Sequence, residues 1–189
     1  MDSALSLIDH LQQRLQARPS KALATTLATE AMTNHKTLEI LFSFIYDGDN
    51  SLRWRAAWTL EMVSKGKPSL VVNERKQIKT LAMQSSTPEG LRRLLFSILH
   101  HLPEEPNLDV EFFNFLLDKM LDPKSPPGVQ ALAMKLAERM SRINGELHKE
   151  FLCIVSNMET DYYSAGVKSV IRNCLKAREK LTVSASHPN

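Results

Sequence analysis

Four places in the chain carry side chains whose types could do chemistry. His100-His101 followed by Glu104-Glu105 is the nearest approach to a metal-binding set, since zinc takes imidazole and carboxylate ligands presented together, as by residues four apart on one helix. Pro103 stands between the two pairs and breaks any helix that would align them. The histidines are therefore expected to close a helix, where a cationic imidazole faces the negative end of the helix dipole. Cys153 and Cys174 lie inside apolar helical patterns with no Cys-x-x-Cys or Cys/His spacing, and two reduced, buried thiols are expected. The Asp161-Tyr162-Tyr163 segment offers either a polar contact or a turn anchored by tyrosine. No Gly-rich phosphate loop, Gly-x-Ser-x-Gly elbow or His-Glu-x-x-His motif occurs. The expectation is no catalytic residue, no metal and no cofactor, and hence a protein that is not an enzyme.

The elements that position these residues follow from composition and periodicity. With 189 residues, 43% hydrophobic and 24% charged, the chain has enough apolar surface to fold and is unlike a disordered segment. Its length suits one domain. No run approaches the roughly 20 apolar residues of a membrane span, and the start, Met1 to Leu11, lacks the charge and hydropathy order of a secretory signal. A cytoplasmic protein with no membrane partner is the resulting expectation.

Self-similarity is the strongest signal. From Asp47 the chain reads Asp-Gly-Asp-Asn-Ser-Leu-Arg-Trp-Arg-Ala-Ala-Trp-Thr-Leu, with Leu52, Arg53, Ala56, Ala57 and Leu60 at offsets 1, 2, 5, 6 and 9. The offsets recur in Leu91, Arg92, Leu95 and Leu99, in Val129, Gln130, Ala133 and Ala137, and in Val167, Lys168, Ile171 and Leu175. Successive copies are 39, 38 and 38 residues apart. An apolar helix precedes each copy: Thr37 to Tyr46, Ile78 to Met83, Val110 to Leu121 and Leu147 to Val155. Asn50-Ser51, Thr87-Pro88-Glu89 and Ser164 are the expected helix starts, and Pro126-Pro127-Gly128 interrupts the helices around it. Upstream, Leu5 to Leu15 and Ser20 to Met32 form a further pair without the signature, as a terminal repeat requires.

The Asp-turn followed by Leu-Arg-x-x-Ala-Ala-x-x-Leu resembles the second half of a HEAT repeat, and the period lies near that of HEAT and armadillo units. The resemblance implies an all-α, right-handed α-α superhelix of about ten helices in five pairs. The repeats are placed at roughly 3–33, 36–66, 74–102, 108–142 and 146–181, in a single domain over 1–181 with a disordered tail at 182–189. It also implies that Arg53 and Arg92 meet Asp-containing turns or backbone carbonyls, with Asp47 and Asp49 the evident partners of Arg53.

Helical geometry turns offsets 1, 5, 9 and 12 to the core and offsets 3, 7 and 10 away from it. In HEAT-type solenoids the second helices line the concave side, so the resemblance implies a groove. Its spine is Trp54, Trp58 and Glu61, then Arg93, Ser97 and His100, then Ala131, Lys135 and Glu138, then Ser169, Asn173 and Lys176. From these, together with Arg55, the expected partner-binding residues are Trp54, Arg55, Trp58, Arg93, Ser97, His100, Lys135, Asn173 and Lys176. The two tryptophans either anchor a partner or cover the small-residue helix Ala22 to Ala28.

Charge is segregated. Residues 51–95 hold nine basic against three acidic side chains, and 96–125 two against six. A basic segment with interleaved Trp suits an acidic protein tail or a phosphate backbone, and solvated helix faces look the same. The leading reading is a non-catalytic scaffold that holds a peptide or protein partner. The alternative is a nucleic-acid binder using Arg55, Lys65, Lys67, Arg75, Lys76, Lys79 and Arg93. Val167 to Lys176 is similar to one helix of the HEAT-like DNA glycosylases that remove alkylated purines, with Asn173 where that family has Trp, which would make the alternative a relative of alkylated-base repair proteins.

Overall fold

The computed structural model describes residues 2–185, and the surroundings of side chains 6–176. Ten α-helices carry the fold: α1 (Asp2–Gln16), α2 (Lys21–Thr33), α3 (His35–Asp47), α4 (Asn50–Gly66), α5 (Arg75–Met83), α6 (Glu89–His101), α7 (Val110–Leu121), α8 (Pro127–Ser141), α9 (Gly145–Ser156) and α10 (Ala165–Ala185). Short 3-10 turns at Pro68–Leu70, Val72–Glu74 and Thr160–Tyr162 join them, and no strand occurs among the described residues. The last helix continues to Ala185, so residues 182–185, expected to be disordered, are helical; residues 186–189 lie outside the described residues.

The helices gather into two compact units, Met1–Pro103 and Glu104–Asn189. In the first, α4 is the hub, packed against α1, α2, α3 and α6, while α5 pairs with α6. In the second, α8 packs against α7, α9 and α10. The hub helices carry the repeat signature. Ala56, Ala57 and Leu60 on α4 and Ala133 and Ala137 on α8 are fully buried, the small residues letting backbones approach while leucines and phenylalanines fill the space between.

Helix starts are set by side-chain oxygens that accept otherwise unpaired N–H groups. Ser20 accepts from the Leu23 amide, Asn34 from Lys36 and Thr37, Asp49 from Leu52, Asp109 from Phe112, Asn144 from Glu146 and Leu147, and Ser164 from Val167. The sequence placed the α4 cap one or two residues late, at Asn50-Ser51. Thr87 is not a cap either: its hydroxyl donates 2.6 Å back to the Leu81 carbonyl, and α6 begins behind Pro88 with no side-chain cap. Gly48 is required where α3 meets α4, because a Cβ there would lie 2.5 Å from the Phe44 carbonyl oxygen.

The residue at offset 2 closes three of the four signature repeats. Arg53 Nε donates to the Ile45 carbonyl at 3.0 Å, not to Asp47 or Asp49; Asp49 is occupied as the α4 cap. Arg92 donates to the carbonyls of Ala82 (2.8 Å) and Gln84 (2.9 Å) and pairs with Glu89. Gln130 Nε2 donates to the Asp122 carbonyl at 2.9 Å. Each bond reaches a carbonyl at or just past the end of the preceding helix, those of Gln84 and Asp122 also accepting from the Thr87 and Ser125 amides.

Arg92, 3% exposed, tests this closure. Arg92→Leu removes the buried donor to the Ala82 carbonyl, the second donor to Gln84 and the cation beside Glu89, which is expected to cost about 2 to 4 kcal/mol. Exposed Arg93→Ala on the same helix is expected to shift stability by less than about 0.5 kcal/mol. Urea unfolding of the two variants checks the contrast, and equal stabilities would refute the assigned role.

Candidate functional site

In the first unit, the signature helices turn their remaining faces to a tryptophan-lined surface. Trp54 and Trp58 stand one turn apart on α4, ring centroids 5.4 Å apart and tilted by 47°. Both are half-buried, and they serve different neighbours. Trp58 lines a crevice with Leu15, Leu23, Ala24 and Leu27; it covers the small-residue helix α2, one of the two roles open to it. Trp54 borders α6, where a Cβ on Gly90 would sit 3.8 Å from its indole nitrogen.

Trp54 also lines a cleft of about 370 Å³, shared with Pro19, Asn50, Ser51, Arg55, Pro88, Gly90 and Leu91. Two prolines and a glycine at helix starts leave the indole edge accessible. Arg55 at the cleft wall donates to the carbonyls of Leu15 and Ala17 at the end of α1, so its donors hold the scaffold. Arg93 is exposed one turn after Gly90, on the same side of α6.

The outward assignment does not hold for every spine residue. Ser97 is buried, 8% exposed, and its hydroxyl donates to the Glu61 carboxylate of α4; the packing of α4 on α6 covers offset 7. His100 and His101 close α6, their rings 6.2 Å apart, and His101 Nδ1 lies 3.3 Å from the Ser64 hydroxyl of α4. His100 is half-buried. Among the described residues, no group of three or more His, Cys, Asp or Glu side chains could hold a metal.

In the second unit, Lys135 on α8 and Asn173 and Lys176 on α10 are exposed and Ala131 and Ser169 half-buried. Glu138, 9% exposed, is paired with Arg142 at 2.8 Å, so it too is committed to the fold. The cysteines differ from expectation. Cys174 is buried, whereas Cys153 is exposed on α9, because α9 turns only Phe151, Leu152 and Val155 fully inward. Burial pushes the Cys174 thiol up to about 11, with the Glu138 charge adding to it.

Paired helices, three of their joints closed by a side chain from the same position of the repeat, define an α-solenoid repeat protein. The family described as the HEAT repeat domain matches residues 11–178, and the chain belongs to it. No curated protein and no solved structure matches the chain. Among the described residues no helix is long and apolar enough to cross a membrane.

The thiols provide a check on this geometry. At about pH 8 a thiol with a pKa of about 11 is roughly one part in a thousand thiolate, the reactive form. Titration with an aromatic disulfide reagent is expected to modify Cys153 rapidly and Cys174 only as the protein unfolds. Prompt modification of both, judged with the Cys153→Ser variant, would contradict the packing of α10 on α8.

Proposed function

We propose that this HEAT repeat protein is a non-catalytic interaction scaffold, and that a peptide or partner protein seats an apolar side chain in the cleft beside Trp54. The observation that carries the reading is the position of Trp54: a large aromatic on a signature helix, half-buried, with its free side forming the wall of an apolar cleft. Trp contributes to interfaces out of proportion to its frequency, because it buries much area at little conformational cost. Exposed Arg18, Lys21 and Arg93 flank the cleft residues in sequence or on the helix face, which suits a partner that places acidic groups around its apolar anchor. In the second unit the exposed Lys135, Asn173 and Lys176 are further contact positions on signature helices.

The basic segment gives the nucleic-acid alternative less support than its composition suggests. Of its nine cations, Arg53, Arg55, Arg75 and Arg92 donate to backbone carbonyls within the fold, and Lys79 is buried. Lys65, Lys67, Lys76 and Arg93 remain exposed. A phosphate backbone rewards cations held outward along a stripe, and most of these arginines are turned inward to carbonyls.

The test is recovery of bound proteins from native lysate on the tagged chain, with and without nuclease, for the wild type and for Trp54→Ala. A defined protein partner should survive nuclease and be weakened at least about tenfold by Trp54→Ala, with unchanged circular dichroism. Duplex DNA titrated over increasing salt should show weak binding with a shallow slope. Partner recovery that ignores Trp54→Ala, or that collapses with nuclease, would overturn the reading.

A further inference from the structure

In the first unit α4 lies between α2 and α6. Along its outward side Trp54, Trp58 and Met62 follow one another at intervals of four residues, all half-buried, and so form one apolar row. On the α2 side Trp58 meets Leu23, Ala24 and Leu27, and Met62 Sδ accepts from the Thr25 hydroxyl at 3.5 Å. On the α6 side Trp54 borders Gly90, and Glu61 accepts from the Ser97 hydroxyl. The apolar surface therefore does not end at the Trp54 cleft. It runs on along α4 as a floor between two flanking helices.

The charges on these three helices are sorted. Each helix carries one carboxylate, and the fold engages it: Glu30 with Arg14 at 2.7 Å, Glu61 with Ser97, and Glu89 with Arg92. Each also carries one exposed cation, Lys21 on α2, Lys65 on α4 and Arg93 on α6. None of the three forms an ion pair among the described residues. Lys65 prolongs the row of Trp54 and Trp58 toward the end of α4, while Lys21 and Arg93 stand on the two flanking helices. The exposed carboxylates of the unit are elsewhere among the described residues: Asp9 on α1, Glu39 and Asp47 on α3, and Asp49, the α4 cap. A surface whose own carboxylates are taken up and whose cations are left is complementary to negative charge.

We propose that the segment held by the first unit is an acidic amphipathic helix lying along α4, with its apolar side chains on Trp54, Trp58 and Met62 and its carboxylates reaching Lys21, Lys65 and Arg93. The inference rests on the scaffold reading and adds the chemistry of the partner. A helix repeats its side chains at the rise of α4 itself, about 5.4 Å per turn, so successive anchors meet successive residues of the floor. An extended strand repeats its faces at about 6.7 Å and drifts out of step. Cations on both flanks of an apolar row call for carboxylates on both sides of an apolar stripe, which is the pattern of an amphipathic helix. A nucleic-acid single strand needs aromatic faces set out as platforms for successive bases; here the two indoles are tilted by 47° to each other and both are half-buried.

The probe is a fluorescein-labelled peptide, Ser-Glu-Glu-Leu-Ala-Glu-Leu-Leu-Glu-Glu-Leu-Ala-Glu-Phe, titrated with the full chain by fluorescence anisotropy at low and high salt. Two relatives accompany it, one with every Glu replaced by Gln and one with both Ala replaced by Pro, which keeps charge and apolar content but breaks the helix. Saturable binding of the first peptide is expected, falling with salt and weakened at least about tenfold in both relatives and by Trp54→Ala. Lys21→Glu, Lys65→Glu and Arg93→Glu, all at exposed positions, should each weaken it at least about threefold with unchanged circular dichroism. Absence of saturable binding, equal binding of either relative, or indifference to Trp54→Ala or to the charge reversals overturns the proposal. Tighter binding of a labelled oligothymidine strand, lost with the same reversals, would assign the face to nucleic acid and overturn it as well. A Trp54-dependent protein partner whose recovery from lysate survives the combined reversal would overturn this inference and leave the scaffold reading standing.

Discussion

The constraint on which this structure depends is the fate of the last carbonyls of each first helix. A helix ends with carbonyl oxygens that its own backbone cannot satisfy, and a solenoid buries that end against the helix that follows. At three joints the second residue of the next signature helix supplies a donor: Arg53 reaches Ile45, Arg92 reaches Ala82 and Gln84, and Gln130 reaches Asp122, the last two carbonyls also accepting from the Thr87 and Ser125 amides. A side chain rooted on one helix and bonded to the end of another fixes the angle between them, and so fixes where the neighbouring offset lands. Leu52, Leu91 and Val129, one residue earlier, are accordingly buried. Because the bond is to backbone, the turns between the helices are free to vary, from Gly48-Asp49 to the Pro123-to-Pro127 segment.

This explains what was legible in the sequence and what was not. The period was legible because packing repeats it: the apolar and small residues at offsets 1, 5 and 9 cannot move without losing the core. The partner of Arg53 was misread because carboxylates are visible in a sequence and unsatisfied carbonyls are not. Asp49 looked like a salt-bridge partner, but its oxygen is worth more at the Leu52 amide, where it starts α4. Thr87 shows the same bias, since a threonine ahead of a helix reads as a cap until a buried carbonyl, Leu81, claims its hydroxyl.

The candidate site was less legible than the fold because helical periodicity gives the direction of a side chain and not what stands in front of it. Offsets 3 and 7 point the same way on α4 and α6, yet Trp54 borders a cleft while Ser97 is covered by α4 and bonded to Glu61. The two tryptophans illustrate the point within a single turn. Trp58 meets Leu23, Ala24 and Leu27 of α2, and Trp54 meets a helix start built from Pro88 and Gly90, where no side chain fills the space. Cys153 errs in the opposite direction: its surroundings in sequence are apolar, but α9 is covered on one side only.

Charge follows the same logic and changes how the basic segment should be weighed. A count of nine cations describes a field, whereas binding needs donors that are free to meet a ligand. Arginine suits helix closure because it can satisfy two carbonyls at once and keeps its stem in the core. A solenoid that closes its joints with arginine therefore looks like a nucleic-acid binder in composition while presenting few cations in space. Departures from the repeat pattern are the more informative places to look for function. At Trp54 an aromatic stands beside a helix start that leaves it uncovered. The joint does not need it in order to close, so it is available to be explained by what the surface meets.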